Sequence, residues 1–371
     1  MSQRRDPSSG DGRNIDARVG SLGGEASSQA VPTERPGAEG AVPYDVFSGT
    51  PAHGPAGREA TYYDRPMLKE PVWIWPVPSY FYAGGSAGAA AVIGAVAQAL
   101  DPKGFRGLVT RCRWITLAGT TIGAALLVYD LGRPKRFLNM LRVFRPTSTL
   151  NMGSWIVSAS GALSAGSLLL SRLGPSVLEE AAGYAAGVVG LPMSGYTAVL
   201  LSDTSVPLWQ GTRRSLPPLF VASGLSGAAS LLALTSLGEV EEKVVERLSL
   251  GGKLAEIVAM YGLERDAARV PKVAEPLHVG LGGSLWKAAK AVTVAGIGVS
   301  LLPRAGRIKS VASALLGTAG ALLVRFAVFH AGKASARDPR ATSTQQRAGK
   351  GAREATGFAA VTGPHNRRAT T

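Results

Sequence analysis

Long stretches without a single ionisable residue alternate along this chain with short, strongly charged connections. Val72 to Leu100 is uncharged over 29 residues and Trp114 to Tyr129 over 16. Uncharged runs recur from Pro146 to Ser171, Ala181 to Ser202 and Ser215 to Gly238, and the run from Ser310 to Val324 resumes after one arginine as Phe326 to Gly332. A helix needs roughly 20 apolar residues to cross the ~30 Å hydrocarbon layer, so these runs predict membrane-spanning helices. A water-soluble domain would have to bury six or more helices that are apolar all round, which the hydropathy pattern argues against.

Two further segments are weaker. Ala291 to Leu302 is short, but it extends back through Lys290 and Lys287 to about Gly282, and those lysines can snorkel to the interface. Leu248 to Leu263 carries Lys253 and Glu256, each costing roughly 2.5–3.5 kcal/mol at the centre of a spanning helix. Their i,i+3 spacing brings them close enough to pair. Read alone, this segment suits an interfacial helix slightly better than a span. The predicted fold is therefore an all-α polytopic transmembrane bundle of eight spans, seven clear and one weak.

Composition sharpens the boundaries. The chain has 371 residues, 46% hydrophobic and 18% charged, with a mean hydropathy of +0.13. Residues 1–57 hold five Arg against seven acids among Gly, Ser, Pro and Ala, which predicts a disordered N-terminal tail over 1–60. Residues 333–371 hold eight Lys/Arg against two acids and predict a basic, disordered tail, leaving 61–332 as the membrane domain. Arg4-Arg5 is followed by no apolar segment before about residue 72, so an export signal is not expected. The formal charge of +15 sits mostly in loops. Arg65, Lys69, five basic residues in 132–150, Arg213, Arg214, Arg265, Arg269, Lys272 and the C-terminal tail fall on one side of an eight-span topology, the richer side. The positive-inside rule then places both termini in the cytoplasm of a multi-pass cell-membrane protein, and the basic balance points to lipid surfaces rather than nucleic acid.

One cysteine, Cys112, excludes an internal disulfide, an iron–sulfur cluster and a cysteine zinc site. Of four histidines, only His278 and His330 lie near a span, too few for a bis-histidine haem, so no haem and no metal are expected in this chain. No phosphate loop or nucleophile elbow occurs. Any redox work would draw its electrons from a partner and pass them to a diffusible organic carrier.

Polar groups at membrane depth are costly and are the best pointers to function. Asp130 follows 16 uncharged residues, three before Arg133; a helix-end ion pair and a proton-handling role both stay open. Arg136, Asn139, Arg142 and Arg145 then line one side of a predicted interfacial amphipathic helix, with Phe137, Leu138, Leu141 and Phe144 on another. Tyr196 lies inside the fourth span after Pro192 and Gly195, where its phenol needs a partner, and Asp203 and Trp209 follow at the helix end. Trp73, Trp75, Tyr80 and Tyr82 crowd the start of the first span, as an aromatic belt would. Arg325 is a buried charge awaiting a carboxylate or helix carbonyls. Runs such as Gly84-Gly85-Ser86-Ala87-Gly88 predict close helix packing.

The segments DLGRPKRFLNMLRVFRPTSTLNMGSW from Asp130 to Trp155, YYDRPMLKEPVWIWPVPSYFYAGGSAG, SGYTAVLLSDTSVPLWQG and LLVRFAVFHAG together resemble the NrfD family, the membrane subunits of polysulfide-reductase-type complexes. The resemblance runs from about Thr61 to Gly332. It implies an eight-helix subunit without haem that binds menaquinone or another quinone near one membrane face. The implied partners are a ferredoxin-like iron–sulfur subunit and, through it, a molybdopterin catalytic subunit. The stretch YYDRPMLKEPVW is similar to members that accompany formate-dehydrogenase-like enzymes. Carried over, the quinone contacts fall on Tyr196, Tyr80, Trp75 and Trp209. Val77 departs from the pattern, since it cannot hydrogen-bond a quinone carbonyl. Asp130, Asp203 and Arg325 become candidates for a proton relay, and Arg133, Arg136, Asn139 and Arg142 for docking the iron–sulfur subunit. The same resemblance makes Leu248 to Leu263 a buried helix whose charges face the bundle. Two other readings remain: an ion- or proton-translocating protein, and a pure membrane anchor for redox partners.

Overall fold

The structure, a computed structural model, describes residues 14–16, 21–23, 68–130, 139–173, 177–303 and 306–348. Eight long helices carry the fold: α1 (Pro76–Leu100), α2 (Arg106–Asp130), α3 (Thr149–Arg172), α4 (Val177–Ser202), α5 (Leu216–Ala233), α6 (Glu239–Ala267), α7 (Gly280–Leu301) and α8 (Arg307–Arg337). Short helices at Pro207–Gly211 and Pro271–Ala274 fill connections and a third, Pro339–Arg347, follows α8 within the 333–371 stretch expected to lack structure, each opening on a proline whose missing N–H costs nothing at a helix start. Within the stretch expected to lack structure, β1 (Asn14–Asp16) and β2 (Ser21–Gly23) pair antiparallel, with Ile15 opposite Leu22.

Six of the long helices, all but α6 and α7, are long and apolar enough to cross a membrane. At about 1.5 Å per residue, the 29 residues of α6 reach further than any of them but the 31-residue α8, so its charge and not its length sets it apart. The interfacial reading of Leu248 to Leu263 is corrected by its packing: Lys253 and Glu256 at the middle of α6 are both 0% exposed, enclosed by α5, α7 and α8. The expected pairing of the two is corrected as well, because their side chains diverge. Lys253 turns to serines of α6, α7 and α8, whereas Glu256 faces serines of α5.

Contacts at the helix ends define two faces. On the near face, Glu70 pairs with Lys333 and Arg337, so the chain enters α1 and leaves α8 on the same side. On the far face, Arg307 at the start of α8 donates to the carbonyls of Ala233, Leu234 and Thr235 at the end of α5. There too, the Glu241 carboxylate accepts from Gly238 N–H and from Leu108 N–H, joining the starts of α6 and α2. Arg113 of α2 reaches Glu179 of α4 at 2.6 Å and Gln98 of α1 at 3.0 Å. These far-face ties satisfy helix-terminal groups that would otherwise lack partners.

α1 runs through the middle, packed by α2, α4, α5 and α8. Its small residues allow this. A methyl group on Gly88 would lie 2.7 Å from the Gly190 carbonyl oxygen, so α1 and α4 cross backbone against backbone.

Candidate functional site

Tyr80 stands four residues into α1 from Pro76, and Tyr196 lies near the last turns of α4, so both belong to the near-face third of the bundle. Tyr80 is 1% exposed and Tyr196 9%, and their phenol groups face each other. Glycines make the room. A methyl group on Gly123 of α2 would come within 2.9 Å of the Tyr80 ring, and one on Gly153 of α3 would overlap the Tyr196 hydroxyl and ring. The two phenols therefore sit where α1, α2, α3 and α4 converge. Apolar side chains surround them, among them Val77, Phe81, Val157 and Met193. Buried phenol hydroxyls in an apolar setting are strong hydrogen-bond groups with few competitors.

The other aromatic candidates separate. Trp209 is 0% exposed, its indole N–H donates to the Val328 carbonyl at 2.9 Å, and its ring stacks on Trp73. It is committed to holding the Pro207–Gly211 helix against α8. Trp75 is 57% exposed and lies against Tyr129 at the end of α2. Beyond it, Leu150 and Trp155 at the start of α3 are exposed, with Phe144 edge-on to Trp155. Trp75, Tyr129, Leu150 and Trp155 make an aromatic, lipid-compatible rim on the α2–α3 side of the phenol pair.

The loop from α2 to α3 lies on this same near face. Arg133 and Arg136 fall outside the described residues. Asn139 and Arg142 are exposed, but among the described residues the amphipathic helix expected through Arg145 does not extend that far: helix covers Asn139 and Met140 and the chain continues in turns. The reason is Asn151. Its side-chain amide donates to the Met140 and Val143 carbonyls at 2.6 and 2.9 Å, and its oxygen accepts from the Arg145 N–H at 2.7 Å, holding those groups out of a helical ladder. Pro146 follows, and Ser148 caps α3 by accepting from the Asn151 N–H at 3.4 Å.

The three candidate relay residues do not come together. Asp130 ends α2 and Asp203 is exposed just past α4, both on the near face. Arg325 is 0% exposed inside α8. Its guanidinium donates to the Phe220 carbonyl at 2.7 Å and lies 3.8 Å from the centre of the Phe220 ring. The carboxylate nearest to it is Glu256 of α6 rather than either aspartate. Sequence reasoning singled out Lys253 and Glu256 as costly but gave them no role. It read Tyr82 only as part of an aromatic belt, whereas the side chain points away from the phenol pair towards Thr318 and Arg325. Lying two residues from Tyr80 on a helix, with no charge nearby in sequence, Tyr82 carried no signal that would separate it from an aromatic belt.

A family model described as polysulfide reductase, of the NrfD type, matches residues 61–337. Comparison with curated proteins returns no match. The matched stretch takes in all eight long helices, three-quarters of the chain, and shows that this multi-pass membrane protein belongs to the NrfD-type polysulfide reductase family.

Proposed function

We propose that this protein is the quinone-interacting membrane subunit of a multisubunit oxidoreductase, exchanging electrons between a quinone such as menaquinone and a ferredoxin-like iron–sulfur subunit that serves a molybdopterin catalytic subunit. The observation that carries this reading is the buried, glycine-seated phenol pair Tyr80–Tyr196 close to one membrane face, beside an aromatic rim that suits a lipophilic substrate. All eight helices cross the bilayer in this reading, with α6 and α7 shielded by their neighbours, and the basic near face is cytoplasmic.

Each phenol has one O–H to donate, and a quinone ring offers carbonyl oxygens to accept. Tyr80 and Tyr196 bind and orient the ring, and Val77, Phe81 and Met193 keep water from it. Val77 cannot hydrogen-bond, so head-group recognition rests on the two tyrosines. The electrons arrive across the near face, where Asn139 and Arg142 are exposed for an acidic partner. Asp130 and Asp203 stand at the near-face ends of α2 and α4 and pass protons between the phenols and water. The test is the Tyr80→Phe/Tyr196→Phe double variant, which keeps the rings and removes both hydroxyls. It inserts and assembles normally and loses quinone reduction by 10-fold or more, about 1.4 kcal/mol or above. Full activity in the assembled complex would show that the chain is only an anchor.

A further inference from the structure

A second buried polar site lies in the other half of the bundle, and the quinone reading does not use it. Lys253 is the midpoint of α6, 14 residues or about 21 Å from either end. It is 0% exposed, and so are Glu256 one turn on and Arg325 of α8. Three fully buried ionisable side chains in one helical bundle are expensive and need a purpose.

The lysine is held by hydroxyls. Its Nζ lies 2.8 Å from Ser249 Oγ, 2.6 Å from Ser313 Oγ and 3.4 Å from Ser300 Oγ. A carboxylate cage would favour only the ammonium form. Serine hydroxyls rotate and can donate as well as accept, so this cage suits both the ammonium and the neutral amine. The lysine stem runs in a slot left by two glycines: methyl groups on Gly296 of α7 and Gly317 of α8 would stand 3.4 and 2.7 Å from its Cε.

The charges near it do not balance. Glu256 of α6 is the carboxylate within electrostatic reach of Lys253, Arg325 of α8 acts in turn on that carboxylate, and Tyr82 of α1 is the titratable group that faces those two. With Lys253 as ammonium the trio carries +1, and with Lys253 as amine it is neutral. Neither oxygen of Glu256 accepts a hydrogen bond among the described residues. Tyr82 Oη and the hydroxyls of Ser226, Ser230 and Thr293 are likewise buried without a partner, forming a polar strip along α5, α6 and α7.

The cage also has a door. Ser249, Ser300 and Ser313 line a cavity of about 160 Å³ that opens between the α5–α6 and α7–α8 connections, with Glu246, Arg247 and Lys309 at its mouth. That is the far face, opposite the phenol pair. One hydroxyl thus separates Lys253 Nζ from a space large enough for several waters.

We propose that Lys253 is a proton-exchanging site at mid-membrane, loaded and unloaded from the far face through the Ser249–Ser300–Ser313 cavity, with Glu256 as its counter-charge and Arg325 as the fixed cation that holds that carboxylate ionised. In the exchange an N–H bond of the ammonium breaks, the proton passes by a serine hydroxyl to water in the cavity, and the lysine keeps the electron pair as a neutral amine. The reverse step reloads it. No redox partner is needed, so the site stands or falls apart from the quinone reading.

The test uses the full chain in lipid nanodiscs and two readouts. In the first, Ser313→Cys and Ser160→Cys are made in a Cys112→Ser background and exposed to a small cationic thiol reagent. Ser160 is also buried, 0% exposed against 7% for Ser313, but lies on α3, away from the cavity. Modification of Ser313→Cys at least 10-fold faster than Ser160→Cys is expected; equal rates overturn the proposal. In the second, acetic anhydride labels amines over a range of pH and each lysine is read by peptide mass spectrometry. Acetylation of Lys253 rises with pH, and Glu256→Gln changes its extent at neutral pH about 10-fold, the effect of one pKa unit. Lys253 that stays unlabelled at every pH while exposed Lys103 reacts, or labelling that ignores Glu256→Gln, shows a sealed structural lysine and overturns it.

Discussion

Gly153→Ala tests the seat of the phenol pair directly. A methyl group at that position of α3 overlaps the hydroxyl and ring of Tyr196, a stiff aromatic buried on α4. Tyr196 cannot swing aside without leaving its contact with Tyr80, so the overlap is relieved by parting α3 from α4 or displacing the phenol. Overpacking of this kind costs about 1–3 kcal/mol. Alanine also favours a helix over glycine by roughly 1 kcal/mol, which would hide part of the loss. Gly166, on the same helix, removes that ambiguity, because a methyl group there would meet no atom within 4 Å. Gly166→Ala carries the same helical gain without the overlap, so the difference between the two variants isolates the packing cost of about 1–3 kcal/mol. Thermal unfolding of both in the same nanodiscs, followed by circular dichroism, should place Gly153→Ala several degrees below Gly166→Ala, and quinone turnover should fall only in the former. Equal midpoints and equal turnover would mean that Tyr196 is not seated against α3, and the proposed site would fail with it.

Two other expectations concern the near face. Burial opposes the charge on Glu70, but hydrogen bonds from Arg337 and Lys333, with their positive charge, outweigh it and hold the carboxyl below its ordinary 4.5. A depressed folded pKa stabilises fully above that ordinary value and is lost as pH falls through the folded one, so Glu70→Gln should be less stable than wild type at pH 7 and the gap should shrink as the pH falls below 4.5; a gap independent of pH would refute the pairing. Trp209→Phe should cost about 0.5–1.5 kcal/mol through the lost bond to Val328 plus the volume removed, whereas Trp75→Phe should leave unfolding unchanged. If Trp75→Phe impairs quinone turnover with normal stability, the rim guides substrate.

The long uncharged runs, the small-residue crossings of α1 and the segment from Asp130 to Trp155 were legible in the sequence, because bilayer thickness and family pattern both act on consecutive residues. Even the cost of Lys253 and Glu256 could be read from their place among apolar neighbours. Their partners could not. Serines at 249, 300 and 313 are scattered over three helices and carry no signal one at a time; only packing turns them into one cage. The i,i+3 rule paired Lys253 with Glu256 because it sees one helix surface in isolation, whereas in the bundle α7 and α8 compete for the lysine and α5 for the carboxylate. In the same way Tyr80 and Tyr196, 116 positions apart, became a pair through glycines on two further helices, Gly123 and Gly153. The sequence by itself determined that this chain lives in a membrane, in which family, and at what polar cost. Tertiary structure decided which polar groups meet, since partners on different helices are set by crossing points that no local pattern encodes.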